Sequence, residues 1–321
     1  MKELNISEMS KAVMSLKKVY IIPHVNPDGD ALGSSFGLCR FLRENGKSAD
    51  VVLEKEIPQA YAFLNGDYIL TENADEKRDV IVLDCGDLSR TGKSEALFNA
   101  AEHTLVIDHH ETNEGYGEKC TVMGEMSSTC EMIFNLIKAA KLKISRDVAF
   151  ALYTGITSDT GGMRYSCTSP ATLRAAAELL ETGLDIAYIN RMVFENNSLK
   201  KIRLKGMVYD SLRILADGKA AIVRMTKEML EKAGANEDDS EGFVNIPRSV
   251  EGVEIGIFLK EREDEIRVSL RSNSYADVSK IAKALGGGGH FHAGGCSYKG
   301  SLDETEEKIL SLIKEKIFDV I

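Results

Sequence analysis

The feature that most constrains the fold is the alternation, in the first half of the chain, of short β-branched apolar runs with helical patterns. Buried strands are predicted at four of these runs: Val19–Ile22, Val51–Leu53, Val80–Leu83 and Thr104–Ile107. Helices are predicted over 31–45, 131–140, 147–158 and 170–182. The start of the second is marked by Ser128-Thr129-Cys130-Glu131, which has the form of a capping box, in which the serine and the glutamate each satisfy a free backbone N–H. Strands that alternate with helices form βαβ units, so the pattern predicts an α/β domain with a mostly parallel sheet.

A second, smaller α/β domain is predicted in the last third of the chain. Its strands are expected at Ala220–Val223, Val253–Leu259 and Ile266–Leu270, and its helices at 277–285 and 303–318. The segment 188–211 carries an excess of Lys and Arg in an otherwise acidic chain, which indicates a polar, helical connector. We therefore expect a first domain over 1–187, a connector over 188–211 and a second domain over 212–321.

The charge of the chain limits its partners. The formal net charge is -10, and no stripe of Lys and Arg is long enough to hold a polymeric nucleic acid, so a nucleic-acid substrate should be short. No apolar signal core or membrane-length run occurs, which predicts a cytoplasmic protein without a membrane partner. The six cysteines lack the paired spacing of a zinc site and are expected to be reduced and mostly buried.

Acidic and imidazole side chains follow three of the four predicted strands, where open α/β sheets bind ligands. They lie in three segments of the sequence: His24 to Asp30, Asp84 with Asp87, and Asp108-His109-His110. Asp159 is a further candidate and closes the predicted helix over 147–158. Pro27 and Gly29 permit a tight loop, after which Asp30 is expected to cap a helix. An aspartate after a strand is often only a cap or a turn former, but a cluster of carboxylates destabilises a fold unless cations neutralise it. Four aspartates would balance two divalent ions, and the mixed imidazole and carboxylate donors favour manganese over calcium or structural zinc.

The spacing His24-x-x-x-Asp28-x-Asp30, followed by Asp84, Asp108-His109-His110 and Asp159, resembles the DHH phosphoesterase superfamily. The resemblance implies one metal ion on His24, Asp28 and Asp84, and a second on Asp30, Asp84, His109 and Asp159, so that Asp84 bridges the pair. It places His110 near the scissile phosphate as a donor of a hydrogen bond or a proton. Asp108 would orient a histidine, although a plain strand-end cap explains it equally well.

A glycine segment in the second half, Gly286 to Gly289 followed by His290, resembles the Gly-Gly-Gly-His segment of the type 1 DHH-associated domain. Phe291 and Gly294-Gly295 depart from relatives that often carry proline and paired alanine there. Further substrate contacts are expected from Ser269–Ser272, which matches the same domain, from the segment after Asp159, and from the loop before Asp28. The predicted substrate-binding residues are Asn26, Arg164, Arg271, Ser272, Gly287, Gly288, Gly289 and His290.

Within the superfamily the chain is most similar to bacterial nano-RNases that also act as phosphatases on 3′-phosphoadenosine-5′-phosphate. The resemblance implies a manganese-dependent hydrolase that acts on short oligonucleotides and small nucleotides. The alternatives are a phosphodiesterase of cyclic or linear dinucleotides, an inorganic pyrophosphatase and a non-catalytic nucleotide sensor. The sequence leaves open whether the protein forms a homodimer.

Overall fold

The computed structural model describes residues 2–74 and 77–318. The chain forms two compact units, Met1–Asn196 and Asn197–Ile321, and the division falls inside the segment 188–211. The domain boundaries expected from the sequence stay predictions. No helix in the described ranges combines the length and apolar character that a membrane span requires.

The first unit is built on a seven-stranded sheet in which every neighbouring pair of strands is parallel. Its strands are β1 (Lys2–Glu3), β2 (Lys18–Ile22), β3 (Ser48–Leu53), β4 (Tyr68–Leu70), β5 (Asp79–Leu83), β6 (Thr104–Asp108) and β7 (Lys119–Val122). Its helices are α1 (Ile6–Ser15), α2 (Gly29–Glu44), α3 (Glu95–Ala100), α4 (Thr129–Ala139), α5 (Arg146–Asp159), α6 (Pro170–Leu180) and α7 (Ile186–Asn190). The predicted α/β class is confirmed, and the sequence analysis missed α1, α3, α7 and the strands β1, β4 and β7.

Both faces of this sheet are covered, which explains why its strands are apolar along their length. Val19 and Ile21 of β2 pack into the larger core with α2, α4 and α5. Tyr20 and Ile22 point to the opposite face, where Phe98 of α3 contributes to a smaller core. All six cysteines are free thiols, and five of them are buried, whereas Cys167 is exposed, as the sequence predicts for reduced and mostly buried cysteines.

The order of the strands places a crevice in the middle of the sheet. The order is β1-β7-β6-β5-β2-β3-β4, so the chain moves outward from β2 to one edge and then returns to add β5, β6 and β7 on the other side. Ligands in open α/β sheets bind beyond the carboxyl ends of the strands at such a reversal. The reversal here lies between β2 and β5, which precede His24 and Asp84.

The second unit has a six-stranded mixed sheet, and the predicted second α/β domain is confirmed at the level of fold class. Its strands are β8 (Arg213–Leu215), β9 (Ala220–Met225), β10 (Ile255–Glu261), β11 (Ile266–Ser272), β12 (Gly288–His290) and β13 (Ala293–Tyr298), in the order β12-β13-β11-β10-β9-β8. Its helices are α8 (Leu199–Asp210), α9 (Lys227–Ala233), α10 (Asn245–Arg248), α11 (Val278–Ala284) and α12 (Leu302–Ile313). Ile257, Val268 and Ile309 lie in a core of its own.

Candidate metal centre

Strand ends and helix ends supply the six predicted ligands. His24 follows β2, Asp84 follows β5 and His109 follows β6, and these three parallel strands are neighbours in the sheet. Asp28 and Asp30 lie at the start of α2, while Asp159 is the last residue of α5. Asp84 has a φ of +55°, a left-handed conformation that is uncommon for a side chain other than glycine and typical of functional sites.

The ligand atoms of these residues lie close together. Nε2 of His24 is 3.8 Å from Oδ2 of Asp84. Nε2 of His109 lies 3.5 Å from Oδ1 of Asp84, 3.3 Å from Oδ2 of Asp159 and 3.9 Å from Oδ2 of Asp30. Among the residues that the structure describes, three groups have ligand atoms within 4.8 Å of one another: His24 with Asp28 and Asp84, Asp30 with His109 and Asp159, and Asp84 with His109 and His110.

The two aspartates at the start of α2 have different structural roles. The prediction that Asp30 caps this helix is wrong, because Asp28 is the N-cap and its Oδ1 accepts hydrogen bonds from the N–H groups of Asp30 and Ala31. Asp30 is the second residue of the helix and is fully buried, with its carboxylate turned toward the start of α4. The capping bonds leave the second oxygen of Asp28 available to a ligand.

Glycines allow α2 and α5 to approach closely enough to bring Asp30 and Asp159 together. A Cβ atom on Gly33 would lie 2.6 Å from the carbonyl oxygen of Ala151. One on Gly155 would lie 2.9 Å from Oδ1 of Asp30. Both distances are shorter than van der Waals contact permits, so side chains at these positions would force the two helices apart.

Hydrogen bonds orient the imidazole rings. Nδ1 of His24 lies 2.8 Å from the carbonyl oxygen of Val25, and Nδ1 of His109 lies 3.3 Å from that of Met126. A carbonyl oxygen only accepts, so each Nδ1 carries the proton and each Nε2 lone pair faces the carboxylates, which is the arrangement of a metal-binding histidine.

His110 has a different partner. Its Nδ1 lies 2.7 Å from Oδ1 of Asp108, whose other oxygen accepts a hydrogen bond of 2.7 Å from Asn113. Of the two roles considered for Asp108, the structure has the one in which it orients a histidine. The hydrogen bond to Asp108 also raises the pKa of His110 above its usual value, which favours the protonated ring.

The electrostatics divide these carboxyl groups into two kinds. Burial, followed by repulsion from neighbouring carboxylates, raises the pKa of Asp84 and of Asp159 well above the usual value. Burial also raises the pKa of Asp30, although the nearby His109 opposes the shift. Burial acts in the same direction on Asp108, but its hydrogen bonds outweigh that effect and lower its pKa.

This donor set fits two divalent cations. The four carboxylates of Asp28, Asp30, Asp84 and Asp159 are forced together, and the raised pKa values of three of them, Asp30, Asp84 and Asp159, mean that the anionic form is disfavoured in the protein alone. Cations of total charge four would neutralise the group and remove that penalty. Mixed nitrogen and oxygen donors suit manganese and related first-row metals.

The other predicted residues of the first unit have less defined surroundings. Asn26 is exposed in the loop between His24 and Asp28 and has a φ of +53°. Arg164 is also exposed, but its Nε donates to the carbonyl oxygen of Gly161 and its guanidinium lies 5.6 Å from the ring centroid of Phe194. Their predicted contacts with substrate stay predictions.

In the second unit, the glycine segment is only partly a loop. Gly286 follows Leu285, the C-cap of α11, with a φ of +77°, and Gly288 and Gly289 belong to β12, at the edge of the sheet. Gly287 is required by packing, because a Cβ atom there would lie 2.2 Å from the carbonyl oxygen of Gly295. The side chain of His290 lies outside the described part of the structure.

The strands bring the glycine segment next to the Arg271–Ser272 segment. The backbone of His290 pairs with Ala293, which pairs in turn with Arg271. Ser272 is buried, and its hydroxyl oxygen lies 2.9 Å from Nδ1 of His292. Arg271 donates from Nη1 to the carbonyl oxygen of Leu270. The predicted substrate residues of this unit therefore share one end of its sheet.

The sequence analysis missed the residues at the start of α4 that form hydrogen bonds with the predicted metal ligands. Ser128 caps α4 as predicted, but Glu131 does not complete a capping box, because its carboxylate bonds to Ser127 and Thr172. Thr129 donates to Asp84, and this contact was not predicted. The Ser128-to-Glu131 motif was visible in the sequence, but it explained only the local helix start.

Comparison with known proteins identifies the two units. Residues 18–156 match the model of the DHH family, N-terminal domain, and residues 217–318 match that of the DHHA1 domain. The chain is 35% identical over 317 residues to the bifunctional oligoribonuclease and PAP phosphatase NrnA of Thermus thermophilus, covering 97% of this chain and 93% of that protein.

Two further similarities extend this comparison. A crystal structure of an exopolyphosphatase-related protein from Bacteroides fragilis superimposes with a TM-score of 0.88 at 31% identity, covering 97% of this chain and 96% of that one. The cyclic-di-AMP phosphodiesterase PdeA of Listeria monocytogenes is 27% identical over 95% of this chain, which spans only 48% of that protein.

Proposed function

The chain belongs to the DHH family, and we propose that it is a two-metal phosphoesterase that hydrolyses short oligonucleotides and 3′-phosphoadenosine-5′-phosphate. The substrate class is supported by the similar Thermus thermophilus protein, which is named an oligoribonuclease and PAP phosphatase. The two-metal chemistry is supported by the donor groups of the first unit, and we infer that the ions are Mn²⁺.

The observation that carries this proposal is the position of Asp84. It belongs to the ligand group with His24 and Asp28, and its Oδ1 is also 3.5 Å from His109, which belongs to the group with Asp30 and Asp159. A carboxylate shared in this way suits a pair of divalent ions. Such a pair, when bound, acidifies water and neutralises charge on phosphoryl oxygens.

One further group of the site, the imidazole of His110, would act on the substrate directly. His110 has its Nδ1 committed to Asp108, so its Nε2 is the atom that can donate a hydrogen bond to a phosphoryl oxygen or a proton to the leaving oxygen. Asp108 would stabilise the charged imidazole during that transfer. The side-chain amide of Asn113 donates a hydrogen bond to Oδ2 of Asp108 and thereby holds this carboxylate in place.

We infer that the second unit selects short substrates. Arg271 can hold a phosphate as a charged donor, and the glycines of β12 allow a substrate to approach the backbone at the edge of the sheet. The net charge of -10 gives a long strand little to bind. The cytoplasmic location and a possible homodimer stay predictions of the sequence.

The test is a substrate panel with Mn²⁺: 3′-phosphoadenosine-5′-phosphate, a linear dinucleotide, cyclic dinucleotides, pyrophosphate and RNA of increasing length. Hydrolysis of the first two substrates is expected, with little turnover of pyrophosphate or of long RNA. The similarity to PdeA makes a cyclic-dinucleotide phosphodiesterase the second candidate, and preferential cleavage of cyclic dinucleotides would favour it. Nucleotide binding without turnover of any substrate would identify a sensor and contradict the proposal.

A further inference from the structure

The first turn of α4 contacts two of the clustered carboxylates from the side of the protein interior. The N–H groups of Thr129 and Cys130 donate to the two oxygens of Asp30, at 2.7 and 2.9 Å. The hydroxyl of Thr129 donates to Oδ1 of Asp84 at 3.1 Å. All four of these residues are buried, so water does not compete for the bonds.

A buried carboxylate holds this turn in place. One oxygen of Glu131, Oε2, accepts three hydrogen bonds: from the N–H of Ser127 at 3.1 Å, from its hydroxyl at 2.6 Å and from the hydroxyl of Thr172 at 2.9 Å. Glu131 is only 1% exposed, and Thr172 lies on α6. Glu131 thereby ties the segment before Thr129 to a neighbouring helix.

We propose that Thr129 is a positioning residue for the two-cation site and that Glu131 and Thr172 fix Thr129 for this role. This inference rests on the proposed function. A carboxylate can rotate about its Cβ–Cγ bond, and the hydroxyl of Thr129 restricts that rotation for Asp84. Asp84 groups with His24 and Asp28, and its Oδ1 also lies 3.5 Å from Nε2 of His109, which groups with Asp30 and Asp159. Rotation of the Asp84 carboxylate would therefore disturb the binding of both ions.

The contact with Asp84 distinguishes Thr129 from an ordinary buried threonine. Thr121 is equally inaccessible, but its hydroxyl donates to the carbonyl oxygen of Leu4 at 2.7 Å and touches no predicted ligand. Thr121→Val and Thr129→Val therefore each remove one buried hydroxyl and one hydrogen bond while preserving the shape of the side chain. Only the second change removes a bond to a metal-binding carboxylate.

The experiment measures Mn²⁺ binding to the full chain by isothermal titration calorimetry, with the thermal midpoint of each variant as a measure of folding. Loss of a residue that orients a metal ligand typically weakens metal binding about 10- to 100-fold. We expect a loss of this size for T129V, recovery of most of the affinity in T129S, which retains the hydroxyl, and an unchanged affinity in T121V. A folded T129V protein with the affinity of the wild type for both ions would overturn the proposal, as would an equal loss in T121V.

Glu131→Gln provides a second test that leaves the hydroxyl of Thr129 in place, and it applies even where T129V does not fold. Weaker Mn²⁺ binding is expected, because the neutral amide is a poorer acceptor for Ser127 and Thr172. Affinity like that of the wild type in folded E131Q would refute the part assigned to Glu131. A wild-type protein that binds two ions but hydrolyses no substrate would refute the proposed function alone, whereas one that binds no Mn²⁺ would refute both.

Discussion

Replacing Asp84 by asparagine is expected to change metal binding and the stability of the metal-free protein in opposite directions. Asp84 is 2% exposed, and its carboxylate lies among those of Asp28, Asp30 and Asp159. In the metal-free protein, its burial and this repulsion raise its pKa, so its negative charge opposes folding. A neutral side chain of the same shape removes that penalty, and the metal-free D84N protein should have a higher Tm than the metal-free wild type at about pH 8.

The same substitution removes a negative charge that would attract both cations. Two unit charges about 4 Å apart interact with about 4 kcal/mol at the effective dielectric constant of 20 that suits protein sites. Even this single-charge value corresponds to roughly a thousandfold increase in a dissociation constant. D84N should therefore bind at most one Mn²⁺ at micromolar concentrations, and hydrolysis of a dinucleotide should fall below detection.

Asp108→Asn is the matched control, because Asp108 is equally buried but has a lowered pKa. Its charge favours folding through the hydrogen bonds with His110 and Asn113, so D108N should lower the Tm of the metal-free protein and retain both ions. Calorimetric unfolding in chelator and metal analysis after dialysis measure both quantities. Two tightly bound ions in D84N, or a lower Tm for its metal-free form, would refute this account of Asp84.

Four further outcomes are expected. Turnover should fall steeply for RNA longer than about five nucleotides, and equal turnover of a trinucleotide and of a strand of about 24 nucleotides would contradict the substrate assignment. His290→Ala should slow dinucleotide hydrolysis roughly 10- to 150-fold through loss of a hydrogen bond to a charged group, with little effect on bis-p-nitrophenyl phosphate; equal slowing of both substrates would argue against a role confined to the second unit. Gly33→Ala should cost about 1–3 kcal/mol, because its Cβ atom would lie 2.6 Å from a backbone oxygen, whereas Gly206→Ala on α8 has open space and should not destabilise. Finally, the stability of the metal-free protein should fall as the pH rises from about 4 through the raised pKa values of Asp84 and Asp159, so the gain in Tm on adding Mn²⁺ should be greater at about pH 8 than at about pH 5.

The first unit could be predicted from the sequence because its signals are local. A strand such as Val80–Leu83 is apolar along its length only where helices cover both faces of the sheet, and Asp84 follows it directly. The convergence of Asp84 with His24 and His109 then follows from the order of three parallel strands. The resemblance to the DHH superfamily predicted that these residues bind metal ions together.

Other features depend on information that no local pattern contains. Asp28 rather than Asp30 caps α2 because the helix begins at Gly29, and sequence patterns do not fix helix boundaries to one residue. The strand β12 was missed because glycine is unfavourable in strands, and pairing with β13 determines its conformation. Glu131 was misassigned because its partner Thr172 is 41 residues away.

The same contacts explain how a cluster of four aspartates can be part of a stable fold. Asp28 caps the start of α2, where the helix dipole favours a negative charge, and Asp30 lies both in the first turn of α2 and against the first N–H groups of α4. Within the described part of the chain, the hydroxyl of Thr129 is the one hydrogen-bond donor that α4 directs at Asp84. Asp159 ends α5, where the helix dipole is unfavourable for an anion. Cations should therefore stabilise Asp84 and Asp159 more than Asp28 and Asp30. Burial raises the pKa of Asp84 and of Asp159 well above the usual value and also raises that of Asp30, so metal binding and folding should be coupled through these three carboxyl groups, with Asp84 and Asp159 contributing most.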